Sequence, residues 1–196
     1  PAGAGAPERR GDVIVIGKVS DNPKKHYDYL KPMVEYAVSK MGDLGITRAE
    51  VLMAPSNEVM IEYLRSGRVD WVTETPFSAV VFRNEAGAEL LLRKWKKGVP
   101  RYGTVFAVRT DSGITSLGEL TGHTIAFEDE GSSSSFFVPA AELIAAGLRL
   151  VQLESPRDEV PPDAVGYVFS HEEINSSIWL YRGIVDAAAF NDIDWE

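Results

Sequence analysis

Apolar positions along the chain fall into two recurring patterns. Short β-branched runs alternate with longer stretches in which apolar residues return every three or four positions. "VIVIGKV" (13–19) predicts a buried strand. The stretch after it, "HYDYLKPMVEYAVSKMG", places Leu30, Met33, Val34, Ala37, Val38 and Met41 at helical spacing, with Gly42 as a stop. Pro32 is expected near the start of that helix, where proline is tolerated. "VLMAP" predicts a second strand. "SNEVMIEYLRSG" predicts a helix capped by Ser56 or Asn57 and closed by Gly67. "VDWVTETP" predicts a third strand, and Pro76 opens the helix "FSAVVFRNEAG". "AELLLRKW" has a strand-like pattern, and "YGTVFAVR" (102–109) predicts another strand.

A second series follows. "TDSGITSLGELTG" carries turn chemistry and a short helix. "HTIAFE" predicts a strand, and "SSSSFFVPAAELIAAG" a helix ending at Gly147, with Phe137, Ala141, Leu143 and Ile144 on its buried face. "LRLVQLE" predicts a strand and "SPRDEVPPD" an irregular surface loop. "HEEINSSIWLYRG" predicts a helix ending at Gly183, and "VDAAAF" a last strand. Strands alternating with helices signal an α/β class. The expected organisation is a tether over 1–12, a first lobe over 13–107, a second over 108–189 and a return crossing over 190–196. In such a pair the ligand is expected in the cleft, at strand carboxyl ends and helix N-termini.

Composition narrows the function. No apolar run in the 196 residues approaches the ~20 needed to span a bilayer. "PAGAGAPERRGD" has no apolar segment of the signal-peptide kind. The chain has no cysteine, which excludes disulfides, thiolate metal sites and a cysteine nucleophile. A net charge of −9 disfavours nonspecific binding to nucleic acid. The basic run "RKWKKG" (93–98) reads as a solvated loop near a hinge, and Trp71, Trp95 and Trp179 as core residues.

The richest local chemistry lies in "EDEGSSSSFFVP" (128–139). A strand precedes it and a helix pattern follows, so the serines stand at a helix mouth. The first N–H groups of a helix lack internal partners and carry partial positive charge. Serine hydroxyls add donors at the same spot, which suits a phosphate-like oxyanion. Pro139 falls late for a first-turn proline, so either the first turn is expected to be irregular or the regular helix to begin near Val138. Plain N-capping within a polar turn is the competing reading. A nucleophilic serine would need a base among His26, His123 and His171, and there is no G-x-S-x-G. A P-loop is excluded by the lack of G-K-[ST]. Glu128, Asp129 and Glu130 oppose a bare anion site. They must point away, be screened, or accept protons from a protonated ligand.

Four segments together, "APSNEVMIEYLRSGRVDWVTETPFSA", "GVPRYGTVFAVRTDSGITSL", "GELTGHTIAFEDEGSSSSFFVP" and "FSHEEINSSIWLYRGIVDAAAFN", resemble the phosphonate- and phosphite-binding proteins of bacterial ABC importers over about residues 13–195. The resemblance implies a two-lobed, type II periplasmic-binding-protein fold closing on a small oxyanion. It implies ligand contacts from Ser132, Ser133 and Ser134, from Tyr102 with Thr104 beside it, from His171 and, in a looser register, from Asp192. Asn57 stands where the family often has tyrosine, and Ser135 where it has glycine. Glu74 and Thr75, at a strand end, are added on position alone.

The resemblance also implies an extracytoplasmic location, with the N-terminus as a candidate membrane tether, a membrane permease as partner and a monomeric state. It implies no catalysis, metal, cofactor or nucleic acid. Family members usually continue past "VDAAAF" into the first lobe, so that lobe is expected to be incomplete here. A sensor ectodomain, and a serine hydrolase using Ser133 and His171, are the alternatives on the same scaffold.

Overall fold

The computed structural model describes residues 11–193 except Asp21. The expected tether over 1–12 and the far end of the return crossing therefore lie largely outside the described residues. The chain forms two compact units, dividing between Leu91 and Leu92.

The first unit is a parallel sheet in the order β2-β1-β3, made of β1 (Val13–Val19), β2 (Arg48–Ala54) and β3 (Trp71–Val72). Helices α1 (Pro23–Val38), α2 (Asn57–Arg65) and α3 (Pro76–Ala86) complete it. Successive side chains of a strand point to opposite faces, and β1 uses both faces. Val15 packs with Ala54, Met60, Val69 and Phe82, while Ile16 packs with Leu30 and Val34. Gly17 is required by close packing: a Cβ there would lie 2.8 Å from Met60 Sδ and 2.9 Å from Val69 Cγ1.

The helix ends follow local chemistry. Ser56 caps α2, its side chain accepting from the Val59 N–H, and Gly67 takes the left-handed conformation just beyond the helix. Pro76 occupies the first turn of α3. Pro32 departs from expectation. Because α1 already starts at Pro23, Pro32 falls mid-helix, where it offers no N–H to the preceding turn.

The second unit is a five-stranded sheet in the order β4-β8-β5-β7-β6. Its strands are β4 (Thr104–Val108), β5 (Thr124–Phe127), β6 (Leu150–Gln152), β7 (Val165–Phe169) and β8 (Ala187–Asn191). All pairs are parallel except β4 with β8, an antiparallel edge. Helices α4 (Val138–Ala145) and α5 (Glu173–Tyr181) belong to this unit. The fully buried Ile125, Phe127, Leu143 and Val165 centre one cluster. Ala126, Val168, Val185 and Ala188 belong to the other.

Three differences from the sequence pattern have physical causes. "AELLLRKW" forms no strand, and Leu90, Leu91, Leu92 and Trp95 are exposed. An apolar run without a sheet edge to pair with has no ladder to join, and Trp95 is not a core residue. The basic run around it is solvent-facing, as expected. β7, to which the pattern reading gives no element, lies inside the sheet between β5 and β6. The strand at 104–108, expected in the first lobe, hydrogen-bonds to β8 and so lies in the second unit's sheet.

Candidate functional site

In the second unit, the carboxyl ends of β5, β7 and β8 and the amino end of antiparallel β4 lie along one edge of the sheet. The serine run starts from this edge. Ser132 is extended and acts as the cap. Residues Ser133–Phe137 form a single π-helical turn, and α4 begins at Val138. The irregular first turn expected from Pro139 is this π turn.

The four hydroxyls have different environments. Ser132 is buried; its Oγ accepts from the Ser135 N–H at 3.1 Å and donates to Glu128 Oε2 at 2.8 Å. Ser135 is fully buried and donates to Glu173 Oε1 at 2.7 Å. Ser133 and Ser134 are half-buried. The Thr104 hydroxyl donates to the Ser134 carbonyl, tying β4 to the turn.

The other expected residues of this unit gather at the same edge. His171 is exposed, and its N–H donates to the Glu128 carbonyl at 2.7 Å. Its φ of 65° is the left-handed conformation, uncommon for a residue with a side chain. The conformation is held from both sides. Buried Ser170 bonds through its Oγ to the Phe127 and Glu172 carbonyls and to Ser176 Oγ, and Asn175 donates to the Ser170 carbonyl. Asp192 follows β8, and its N–H donates to the Gly103 carbonyl at 3.2 Å, next to Tyr102 and Thr104. Tyr102 is partly exposed, with Lys96 Nζ 5.5 Å from its ring centre.

Two acids that sequence reasoning did not place in the site complete it. Glu128 is half-buried at the end of β5. Burial pushes its carboxyl up to about 7; the nearby Glu173 and Asp129 carboxylates push the same way, while the Ser132 hydroxyl and Lys96 oppose the shift. Glu173 Oε1 gathers the Ser135 hydroxyl, the Asn191 side-chain amide at 2.7 Å and the Asn191 N–H at 3.3 Å. The cluster "EDE" signalled that an acid had to be accommodated. No local pattern singled out Glu173, whose partners stand 38 and 18 positions away.

In the first unit, the expected residues lie at the carboxyl edge of the β2-β1-β3 sheet. Asn57 opens α2, and its Oδ1 is buried without a hydrogen-bond partner in the structure. Glu74 is occupied by its own unit. Its Oε1 accepts from Lys18 Nζ at 2.9 Å and the Val19 N–H at 2.7 Å, and its Oε2 from the Thr75 N–H at 3.2 Å. Thr75 takes the N-cap position of α3 without a side-chain capping hydrogen bond, and its Oγ1 donates to Ser78 Oγ at 3.5 Å. Ser20 Oγ lies 2.6 Å from His26 Nδ1 at the end of β1. Among the described residues no cluster of three or more His, Asp or Glu side chains is placed to hold a metal ion. Nor is any helix there long and apolar enough to cross a membrane.

The family described as "ABC transporter, phosphonate, periplasmic substrate-binding protein" matches residues 20–196. The chain belongs to this family. Among its relatives is the phosphate-import protein PhnD of Mycolicibacterium smegmatis, 26% identical over 188 residues, which cover 93% of this chain and 55% of PhnD. The chain thus spans about half the length of that curated relative. XAC2383 from Xanthomonas citri, solved with chloride, superposes with a TM-score of 0.89 at 37% identity, over 94% of this chain and 66% of XAC2383. The same protein solved with ATP gives 0.87 at 36%, over the same shares of the two chains. PhnD1 from Prochlorococcus marinus, in complex with methylphosphonate, gives 0.66 at 19%, over 94% of this chain and 65% of PhnD1. The fold is that of the type II periplasmic binding proteins, as the resemblance implied.

Proposed function

We propose that the chain is the ligand-binding part of an extracytoplasmic solute-binding protein that takes a small phosphorus oxyanion and delivers it to an ABC permease. The observation that carries this reading is the serine turn. Ser133 and Ser134 stand half-buried at the sheet edge to which the backbone hydrogen bonds of His171 and Asp192 also belong, with Tyr102 beside Gly103. Their hydroxyls and the N–H groups of the turn are neutral donors, and the His171 ring adds a further one. Such donors lose less on leaving water than fixed charges do, which suits a ligand that must be released again. Ser132 and Thr104 act one step back, holding the turn through Glu128 and the Ser134 carbonyl.

The named relatives point to the same chemistry. Phosphate import, a methylphosphonate complex and an ATP complex share a phosphorus centre with terminal oxygens. The hydroxyls of Ser132 and Ser135 bond to carboxyl groups, so neither is paired with an imidazole that could activate it. Titration calorimetry against phosphate, phosphite, methylphosphonate, ATP and sulfate tests the reading. At least one phosphorus oxyanion should bind at micromolar concentration and sulfate far more weakly. If none binds at millimolar concentration, the reading fails.

A further inference from the structure

We propose that Glu128 makes the serine-turn site bind its oxyanion together with a proton, held on the Glu128 side chain and shared with a ligand oxygen. The inference rests on the oxyanion reading above and names the protonation state in which that site works.

Three observations carry it. First, Glu128 is built into the turn: its Oε2 takes the Ser132 hydroxyl at 2.8 Å, one residue before Ser133, and its carbonyl takes the His171 N–H at 2.7 Å. Its backbone is fixed by the His171 N–H, and its side chain cannot swing away without giving up the Ser132 hydroxyl. Second, its surroundings are acidic. Glu173 faces it from α5 and Asp129 from its own loop, while Lys96 is the cation near it and His171 adjoins it from the turn after β7. Glu173 is already committed to Ser135 and Asn191. Third, Glu128 is half-buried, and its carboxyl titrates near neutrality because of that burial.

An arriving oxyanion adds negative charge beside this carboxyl. That raises its proton affinity further, because like charges in a partly desolvated site disfavour one another. The least costly complex takes a proton from solvent. The protonated carboxyl donates to the ligand through one oxygen and still accepts from Ser132 through the other. The only bond made is the O–H formed with the proton that solvent supplies, and the site gains a donor where it had a repelling charge. The proton is therefore part of what the site recognises.

Calorimetry on the wild-type chain and Glu128→Gln tests this, with methylphosphonate and inorganic phosphate as probes, from pH 6.5 to 8.5 in two buffers of different ionisation enthalpy. Each probe's own titration is common to both proteins, so the difference isolates Glu128. The wild type should take up several tenths of a proton more than Glu128→Gln per anion bound near pH 7.5. Its dissociation constant relative to the variant's should rise by about three- to tenfold across the range. Equal proton uptake with a pH-independent ratio overturns the proposal while leaving the oxyanion reading intact. Failure of every phosphorus oxyanion to bind the wild type at any pH removes that reading first, and this one with it. Should Glu128→Gln not fold, the Glu128 carboxyl of the wild type can be titrated by NMR with and without phosphate. A pKa raised by half a unit or more supports the proposal, and one unmoved or lowered overturns it.

Discussion

Ser135 Oγ donates a 2.7 Å hydrogen bond to Glu173 Oε1, and both the Asn191 side chain and its N–H converge on that same oxygen. One carboxylate oxygen thus ties the serine turn, helix α5 and the end of β8 together. The residue that stands where the family has glycine is a structural strut of the site. Its hydroxyl is turned inward onto Glu173.

Ser135→Ala should therefore lower stability by about 1–3 kcal/mol, since it removes a buried donor to a carboxylate. Thermal unfolding checks this. The loss should shrink in the Glu173→Gln background, where the acceptor is no longer a charge. An unchanged midpoint would mean that water replaces the hydroxyl at no cost.

The serine run should divide by function. Ser132→Ala removes the cap, with an expected loss of about 1 kcal/mol in stability. Ser134→Ala leaves the fold within about 0.5 kcal/mol but weakens oxyanion binding by about 1–3 kcal/mol. Urea unfolding and calorimetry on the two variants separate the effects. If Ser134→Ala binds as tightly as the wild type, the run is a capping turn only.

Glu128 predicts a pH-dependent stability of definite sign. Its carboxyl in the folded protein titrates at about 7, above its ordinary 4.5. The folded state therefore holds the proton more tightly than the unfolded chain. That contribution is complete below the ordinary value and is lost as pH rises through 7. Relative to Glu128→Gln, the wild type should lose on the order of 2 kcal/mol between pH 4 and pH 8, allowing for its partial exposure. Midpoints of the two proteins should diverge by about 4–8 °C over that range. Parallel curves would show that the carboxyl is not perturbed.

In the first unit, Glu74 joins Lys18, the Val19 N–H and the Thr75 N–H. Glu74→Ala should cost about 3–5 kcal/mol, because it strands a partly buried ammonium and a strand N–H. Glu74→Gln, whose carbonyl can still accept from Val19, should cost less. Chemical denaturation distinguishes them, and equal losses would assign the effect to charge alone.

The sequence by itself determined what local chemistry decides. The helix stops at Gly67, Gly147 and Gly183 all have positive φ, since only glycine adopts it without strain. The cap at Ser56 and the delayed start of α4 at Val138 were legible for the same reason, as were β1 and β5 from their apolar runs. Family membership was legible because four spaced segments agree. Tertiary structure alone decided which of four identical neighbours does what. Ser132 and Ser135 turn inward because Glu128 and Glu173 wait there, and Glu173 is 38 positions away in the chain. Tertiary structure also decided that Leu90–Leu92 stays outside any sheet while β7 enters one. An apolar run becomes a strand only when a neighbouring edge supplies its hydrogen bonds, and a hydroxyl becomes a strut only when a distant acceptor is folded against it.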